Sequence, residues 1–407
     1  MKKQRIEIIN RYFLPVTAGI EVCLAETTKR LVKQNWAITL HVSRNSLTEK
    51  NVFPKNGSYH SVAIRRYTDT PFGFFPKVNW KEADIISLQN FTLFPHVFLL
   101  TYALTLKLTG RKNFKLLLTP HGGYTPEWET FSRVSKLIKK FLHNIVGKFL
   151  INTVVDGIHA VSEWEKDELI KQGIAPSLIT VIHNGIEDIA FSHTTTDIAP
   201  KIKTKVKQWG TYIVQIGRIH PIKNQQATIN ALPFLPKNIN FVIVGPIEDN
   251  HYKKRLELHV KKLGVEERVI FAGTISGADK YFVMKHALAM VHMALWEAYC
   301  NVIVEAFSQG TFVITSSIPA LKSLIFNKDG QHGFIVDAEK PKELASKIHS
   351  VLKQTDDIKK IKNTNIAFAQ NNSWDTIADI INLYYKNTVS IRLSSEKNIL
   401  QRFSEIK

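Results

Sequence analysis

Short apolar runs alternate with stretches of helical periodicity along this chain, and the alternation breaks once and then restarts. In the first half, apolar runs at 6–9, 37–42, 84–88, 115–119, 157–161 and 179–182 are separated by helix-like segments such as 21–34 and 163–172. Parallel strands need a crossover long enough to hold a helix, so this order predicts a parallel sheet covered on both faces. The stretch 187–208, with the run HTTTD and few large apolar residues, reads as a linker. Apolar runs then resume at 212–216, 241–244, 269–271, 288–293, 312–315 and 333–336. The expected fold class is α/β, with two doubly wound, Rossmann-like domains, 1–186 and 209–370, facing a central cleft. Residues 371–407 read as a helix near 374–386, which returns to the first domain, and a basic tail. A cleft between domains is the default place for a small-molecule ligand.

Composition removes several classes. The N-terminal MKKQRIEIINRYF is interrupted by Glu7, Asn10 and Arg11, so no cleaved signal is expected. Residues 91–106 are apolar but contain Pro95 and His96 and fall short of the roughly 18 residues of a membrane span, so a buried helix is expected. Cys23 and Cys300 lie in different halves, which suggests neither a disulfide framework nor a zinc site and suits a cytoplasmic location. A net charge of +19 either asks for an anionic partner or simply reflects a Lys-, Ile- and Asn-rich composition. Its basic residues are spread out, without the aromatic-interleaved patches of nucleic-acid readers, so no nucleic acid is expected. At 134–150, Lys136, Lys139, Lys140 and Lys148 interleave at helical spacing with Leu137, Ile138, Phe141, Leu142, Ile145 and Phe149. Such a helix either lies on an anionic membrane, here the inner face of the cell membrane, or faces a core with its lysines solvated.

The segment 297–310, EAYCNVIVEAFSQG, sets two carboxylates eight residues apart across a loop-to-helix junction. Glu297 falls at the carboxyl end of a predicted strand and Glu305 in the first turns of the next helix. Free amides of about residues 301–304 would face the same crevice, where the helix dipole favours an anion. Alone, the pair reads more readily as a solvated loop acid and a helix-start acid. After the first strand of the second half, IGRIHPIKN at 216–224 places Arg218 and Lys223 at the carboxyl edge of that sheet. Arg can fork onto phosphate oxygens while Lys acts as a point charge. No GxGxxG follows either first strand, and GxxxxGK[ST] and Asp-x-Asp are missing. An anionic nucleotide would therefore be neutralised by protein cations and helix ends, with no metal and no cofactor.

Taken in order, AGIE at 18–21, HGG at 121–123, VIHNGI at 181–186, IGRIHPIKN and the 297–310 segment resemble the retaining nucleotide-sugar glycosyltransferases of family 4, also called group 1 glycosyltransferases. The resemblance spans about residues 6–350. It implies the GT-B fold and transfer of a sugar, with retention of configuration, from a nucleotide-sugar donor to a glycan or lipid-linked acceptor in surface polysaccharide or lipopolysaccharide synthesis. It also implies roles. Arg218 and Lys223 would hold the donor diphosphate, with Gly19 letting backbone come close. Glu305 would accept the ribose hydroxyls. Asn301, Val302 and Ile303 would offer amides to sugar and phosphate. The catalytic positions would be His121, near the transferring carbon, and Glu297, beside the donor sugar.

The chain departs from the family pattern where Tyr299-Cys300 replaces Phe-Gly, where Phe312-Val313-Ile314 replaces Pro-Val-Val, and where only Gly19 remains of a Gly-Gly pair. These departures bear on which sugar is accepted. A nucleotide-sugar epimerase and a non-catalytic nucleotide-sugar-binding subunit are the competing readings.

Overall fold

The computed structural model describes residues 3–16, 19–46, 49–71, 73–91, 93–124, 137, 140–141, 147–192 and 194–404. They fall into two compact units, Met1–Gly185 with Trp374–Lys407, and Ile186–Ser373.

The first unit runs β1 (Gln4–Ile9), α1 (Gly19–Lys33), β2 (Trp36–Ser43), β3 (Asn56–Tyr59), β4 (Val62–Tyr67), β5 (Ile85–Gln89), α2 (Leu93–Leu108), β6 (Lys115–Thr119), α3 (Lys148–Val154), β7 (Gly157–Ala160), α4 (Glu163–Lys171) and β8 (Ile179–Val181). Its strands are ordered β3-β4-β2-β1-β5-β6-β7-β8. All neighbours are parallel except β3 and β4, a hairpin that the sequence reading passed over. VAIRRY alternates buried and exposed residues over its first four positions and NGSY buries none, so neither forms a continuous buried apolar run, which is how an edge hairpin reads. By contrast β5 and β7 are buried at every position, as a parallel sheet covered on both faces requires.

The second unit begins with α5 (Ile189–Ser192) and α6 (Pro200–Trp209) and continues through β9 (Thr211–Ile216), α7 (Gln225–Ala231), β10 (Ile239–Val244), α8 (Asn250–Lys262), β11 (Val269–Gly273), α9 (Gly277–His286), β12 (Ala289–His292), α10 (Asn301–Ser308), β13 (Val313–Ser316) and α11 (Pro319–Ile325). A two-residue ribbon, β14 (Phe326–Asn327) with β15 (Gly330–Gln331), precedes β16 (Gly333–Val336), α12 (Pro341–Leu352) and α13 (Asp356–Asn371). The sheet is parallel throughout, ordered β11-β10-β9-β12-β13-β16.

Three expectations need correction. The stretch 187–208 is part of the second unit, largely helical, and not a linker. Ile202, Val206 and Trp209 form a buried stripe on α6 at helical spacing, which an average over polar neighbours conceals. The helix over 91–106 buries Leu99, Leu100 and Ala103 but exposes Phe98, Tyr102 and Leu108, so it is half-buried. The basic tail continues as helix, because α14 runs from Trp374 to Ser404. Most of 134–150 lies outside the described residues. Leu137, Phe141 and Phe149 of that stretch are exposed.

α14 belongs to the first unit because its apolar stripe has a seat there. Trp374, Ile377, Ile381 and Tyr385 are buried in one cluster with Ile6, Leu24, Trp36 and Ile38. Trp36 Nε1 donates to Asn382 Oδ1 at 2.8 Å. Gly185 is obligatory at the crossing, since a Cβ there would lie 2.5 Å from the Trp374 ring.

Candidate functional site

In the second unit the chain winds outward from β9 through β10 to β11, and then starts again on the other side with β12. The loops after β9 and β12 therefore diverge from adjacent strands, the switch point at which open α/β sheets form a crevice.

The loop after β9 is built by backbone and buried amides. The Gly217 amide donates to Val244 O and the Ile219 amide to Pro246 O, both at 2.8 Å. Gln215 Nε2 donates to Lys223 O at 2.6 Å and Gln225 Nε2 to Arg218 O at 3.0 Å. Both glutamines are buried, so these bonds fix the loop against the sheet. Gly245 (φ +149°) lets the β10 loop come close, because a Cβ there would stand 2.0 Å from Gly217 O. The Leu295 amide donates to Ile222 O at 2.8 Å, joining this loop to the one after β12.

That junction delivers Lys223 to Glu297. Lys223 Nζ lies 2.5 Å from Glu297 Oε1. His292, the last residue of β12 and fully buried, brings Nε2 to 2.7 Å from the same oxygen. A carboxylate accepts only from a nitrogen that bears hydrogen, so Nε2 carries the proton. Cys300 Sγ is 3.4 Å from that nitrogen. Burial works to raise the Glu297 pKa, but the His292 hydrogen bond and the Lys223 charge outweigh it and hold the carboxyl at about 2. Burial, with Glu297 adding to it, pushes the Cys300 thiol well up, so it stays protonated.

Cys300 precedes α10 in the left-handed region (φ 76°, ψ 71°) and gives the helix no side-chain cap. Asn301 and Val302 form the first turn there. Ile303 differs from expectation: its amide donates to Cys300 O at 3.1 Å, because the left-handed turn folds that carbonyl into the helix start.

Glu305 and Arg218 each have a separate partner. Lys280 Nζ bridges Glu305 Oε2 at 3.0 Å and Glu187 Oε2 at 3.1 Å, and Tyr281 donates its hydroxyl to Glu187 at 3.0 Å. One ammonium thus serves two carboxylates. Burial pushes the Glu305 pKa up, Lys280 opposes this, and Glu187 adds to it. Arg218 Nη1 donates to both oxygens of Glu248 at 2.8 and 2.7 Å, with side chains 46% and 44% exposed.

His121 and Gly19 belong to the first unit. Gly19 opens α1 just past β1, whose neighbours β2 and β5 mark that sheet's own switch point. Thr17 and Ala18 lie outside the described residues. His121 follows β6 with φ 51°, and its Nε2 is 3.0 Å from Gln89 Oε1. Burial, aided by His159, pushes its pKa down to about 3, so the ring is neutral near pH 7. Gly122 adopts φ 77°, and a Cβ on Gly123 would stand 2.7 Å from Phe91 O, so both glycines of HGG have steric reasons. Beneath them Glu165 accepts the Gly122 amide at 2.5 Å and the Val161 amide at 2.8 Å. Burial raises its pKa to about 7 against those two bonds.

Sequence reasoning missed His292, Lys280, Glu187, Glu248 and Glu165. His292 was hidden inside an apolar strand, and a histidine ending such a strand five residues before Glu297 was the available signal. Glu165 stands three residues after Ser162, a spacing that reads as helix capping. His292, Glu297 and Cys300 are the one group among the described residues whose donor atoms, all within 4.8 Å, could hold a metal. Lys223 already neutralises the Glu297 carboxylate, and a second cation beside that ammonium would be repelled. Among the described residues no helix is long and apolar enough to cross a membrane.

Two family models match the chain: "Glycosyltransferase Family 4" over residues 17–188 and "Glycosyl transferases group 1" over 199–368. An uncharacterised glycosyltransferase of Methanocaldococcus jannaschii is 21% identical over 390 residues, covering 90% of this chain and 91% of that protein. The Campylobacter jejuni N-acetylgalactosamine-N,N'-diacetylbacillosaminyl-diphospho-undecaprenol 4-alpha-N-acetylgalactosaminyltransferase is 24% identical over 221 residues, 53% of this chain and 56% of that one. Among solved structures, Anabaena HepE in complex with UDP and glucose superposes with a TM-score of 0.72 at 22% identity, covering 94% of this chain and 100% of HepE.

Proposed function

The chain belongs to the group 1 glycosyltransferases and has their GT-B fold, and on that premise we propose that it moves a sugar from a nucleotide-diphosphate donor to a glycan or lipid-linked acceptor with retention of configuration. The observation that carries the reading is the Glu297 carboxylate, kept ionised by Lys223 and His292 beside the uncapped start of α10.

Glycosyl transfer builds positive charge on the sugar and negative charge on the departing diphosphate. Lys223 has three N–H donors and only one is directed at Glu297, so the others serve phosphate oxygens. Arg218 is drawn to the diphosphate at little expense, because an exposed ion pair such as that with Glu248 is worth about 0–1 kcal/mol. The helix dipole at Asn301 and Val302 adds to this pull. Glu305 shares Lys280 with Glu187 and so retains acceptor capacity for ribose hydroxyls. Glu297 accepts from the donor sugar. With a pKa of about 3, His121 is a poor base, which agrees with the leaving phosphate taking the acceptor's proton. No metal or cofactor enters this scheme. Gly19 lets backbone approach the diphosphate.

The exposed Phe98, Tyr102, Leu108 and Phe149 of α2 and α3, with Lys107 and Lys148 on the same helices, support contact with an anionic membrane, which suits a lipid-linked acceptor in surface-glycan synthesis.

The test is release of nucleotide from UDP-glucose, UDP-N-acetylglucosamine, UDP-N-acetylgalactosamine and GDP-mannose without acceptor. Slow release from one donor, lost in Lys223→Ala, supports the enzyme. Binding without turnover, acceptors included, favours the nucleotide-sugar-binding subunit. The anomeric coupling constant of the product decides retention, and co-sedimentation with anionic against zwitterionic vesicles decides the membrane contact.

A further inference from the structure

Glu297 is held more elaborately than a sugar contact alone requires. Both cationic or N–H partners converge on Oε1: Lys223 Nζ at 2.5 Å and His292 Nε2 at 2.7 Å. Oε2 takes part in neither bond. Two donors from different residues on one oxygen restrict how the carboxylate turns, and so restrict the direction in which its second oxygen is presented.

His292 is itself fixed from one side only. Its Nδ1 is buried without a hydrogen-bond partner, so the ring is oriented through Nε2 alone, by Glu297 and by the Cys300 sulfur 3.4 Å away. Cys300 meanwhile keeps a side chain where the backbone disfavours one, since it is a non-glycine residue in the left-handed region. A side chain kept at that expense, in contact with the nitrogen that holds Glu297, has a use there.

We infer that His292 and Cys300 form a positioning pair which holds the Glu297 carboxylate in the single orientation that presents Oε2 to the donor-sugar hydroxyls, and that this pair tunes which sugar is accepted. The inference rests on Glu297 being the donor-sugar carboxylate. His292 touches no substrate in this scheme and acts through Glu297. Replacing it by leucine leaves Lys223 on Oε1 but removes the second donor, so the carboxylate can turn about the remaining bond. Glutamine places an amide N–H where Nε2 stands and restores the bond. Replacing Cys300 by glycine removes the sulfur wall and relieves the backbone.

The experiment uses the full chain and the donor that releases nucleotide fastest among the four above. His292→Leu is expected to lower kcat/KM for that donor at least about tenfold, as loss of orientation does, while leaving the Kd of the matching free nucleoside diphosphate within about twofold. His292→Gln is expected to recover most of the loss, and Cys300→Gly to change the ratio of kcat/KM between two donors at least about fivefold. Equal loss of diphosphate and donor affinity in His292→Leu, or no rescue by His292→Gln, reduces His292 to a structural role and overturns the inference. Glu297→Gln separates the two levels. If it keeps wild-type turnover, the functional reading fails. If it is inactive while His292→Leu is unaffected, only the positioning pair fails.

Discussion

Glu165 should make the protein more stable at pH 5 than at pH 8. The group is 1% exposed, carries two backbone N–H bonds to the segments at Gly122 and Val161, and has its pKa raised by burial from 4.5 to about 7. Between those values the unfolded chain ionises while the folded one still holds its proton. The contribution is therefore fully present below about pH 4.5, is lost as pH rises, and is gone above about pH 7, amounting to about 3 kcal/mol at 1.36 kcal/mol per pH unit. Glu165→Gln cannot titrate. It also turns an amide N–H toward one of the two backbone donors, which lowers stability by about 1–3 kcal/mol at every pH. The two effects separate in guanidinium unfolding at pH 5, 6, 7 and 8. The wild type should lose about 3 kcal/mol more than the variant across that range. Parallel profiles for the two proteins would refute the idea that a buried, proton-holding carboxyl supports the His121 turn.

Glu297 should act in the opposite sense. Its pKa is lowered from 4.5 to about 2, so its contribution of about 3 kcal/mol is fully present above about pH 4.5 and is lost as pH falls through about 2. In Glu297→Gln this acid-side slope should disappear, and unfolding midpoints at pH 6 and pH 3 compare the two directly. Gly245→Ala should destabilise the chain by about 3 kcal/mol or more, since its Cβ would stand 2.0 Å from a backbone oxygen; a change under about 0.5 kcal/mol would show that the two loops do not meet. Trp374→Ala should cost about 3–5 kcal/mol through the cavity left among Trp36, Ile38 and Ile377, measured by thermal unfolding followed by circular dichroism.

Largely apolar strands such as IISLQ and FVIV announced the parallel sheets, because burial on both faces leaves few polar positions. The hairpin at 56–67 and the stripe on α6 were obscured, one by one-sided burial and the other by dilution among lysines and threonines. The proximity of Lys223 and Glu297 was legible in outline, since both follow strands ending on one sheet edge. The partners of the other charges were not. Nothing local to Arg218 points to Glu248 thirty residues on, and nothing in the sequence near Glu305 points to Lys280 or Glu187. Such pairings depend on which loops neighbouring strands carry together, and strand order is set by long-range packing. Ile303 shows a finer limit, because the spacing predicted a free amide while a single left-handed residue turned a carbonyl onto it.

The chain enters the second unit at Ile186 and leaves it after Ser373, and the two crossings are paired there, with the Ile186 amide on Asn372 O at 2.9 Å. One unit is thus a continuous stretch and the other is interrupted. On the ribosome, residues 186–373 have all their own strands and helices available before the polypeptide is finished. Residues 1–185, although made before the second unit, lack Trp374, Ile377, Ile381 and Tyr385 until that unit has been made. Of the two units, the one translated earlier is therefore completed later, and until α14 is made the apolar surface around Trp36 and Ile38 waits uncovered. Chaperone capture and quality control should act on that surface, and a chain stopped short of α14 should be recognised there.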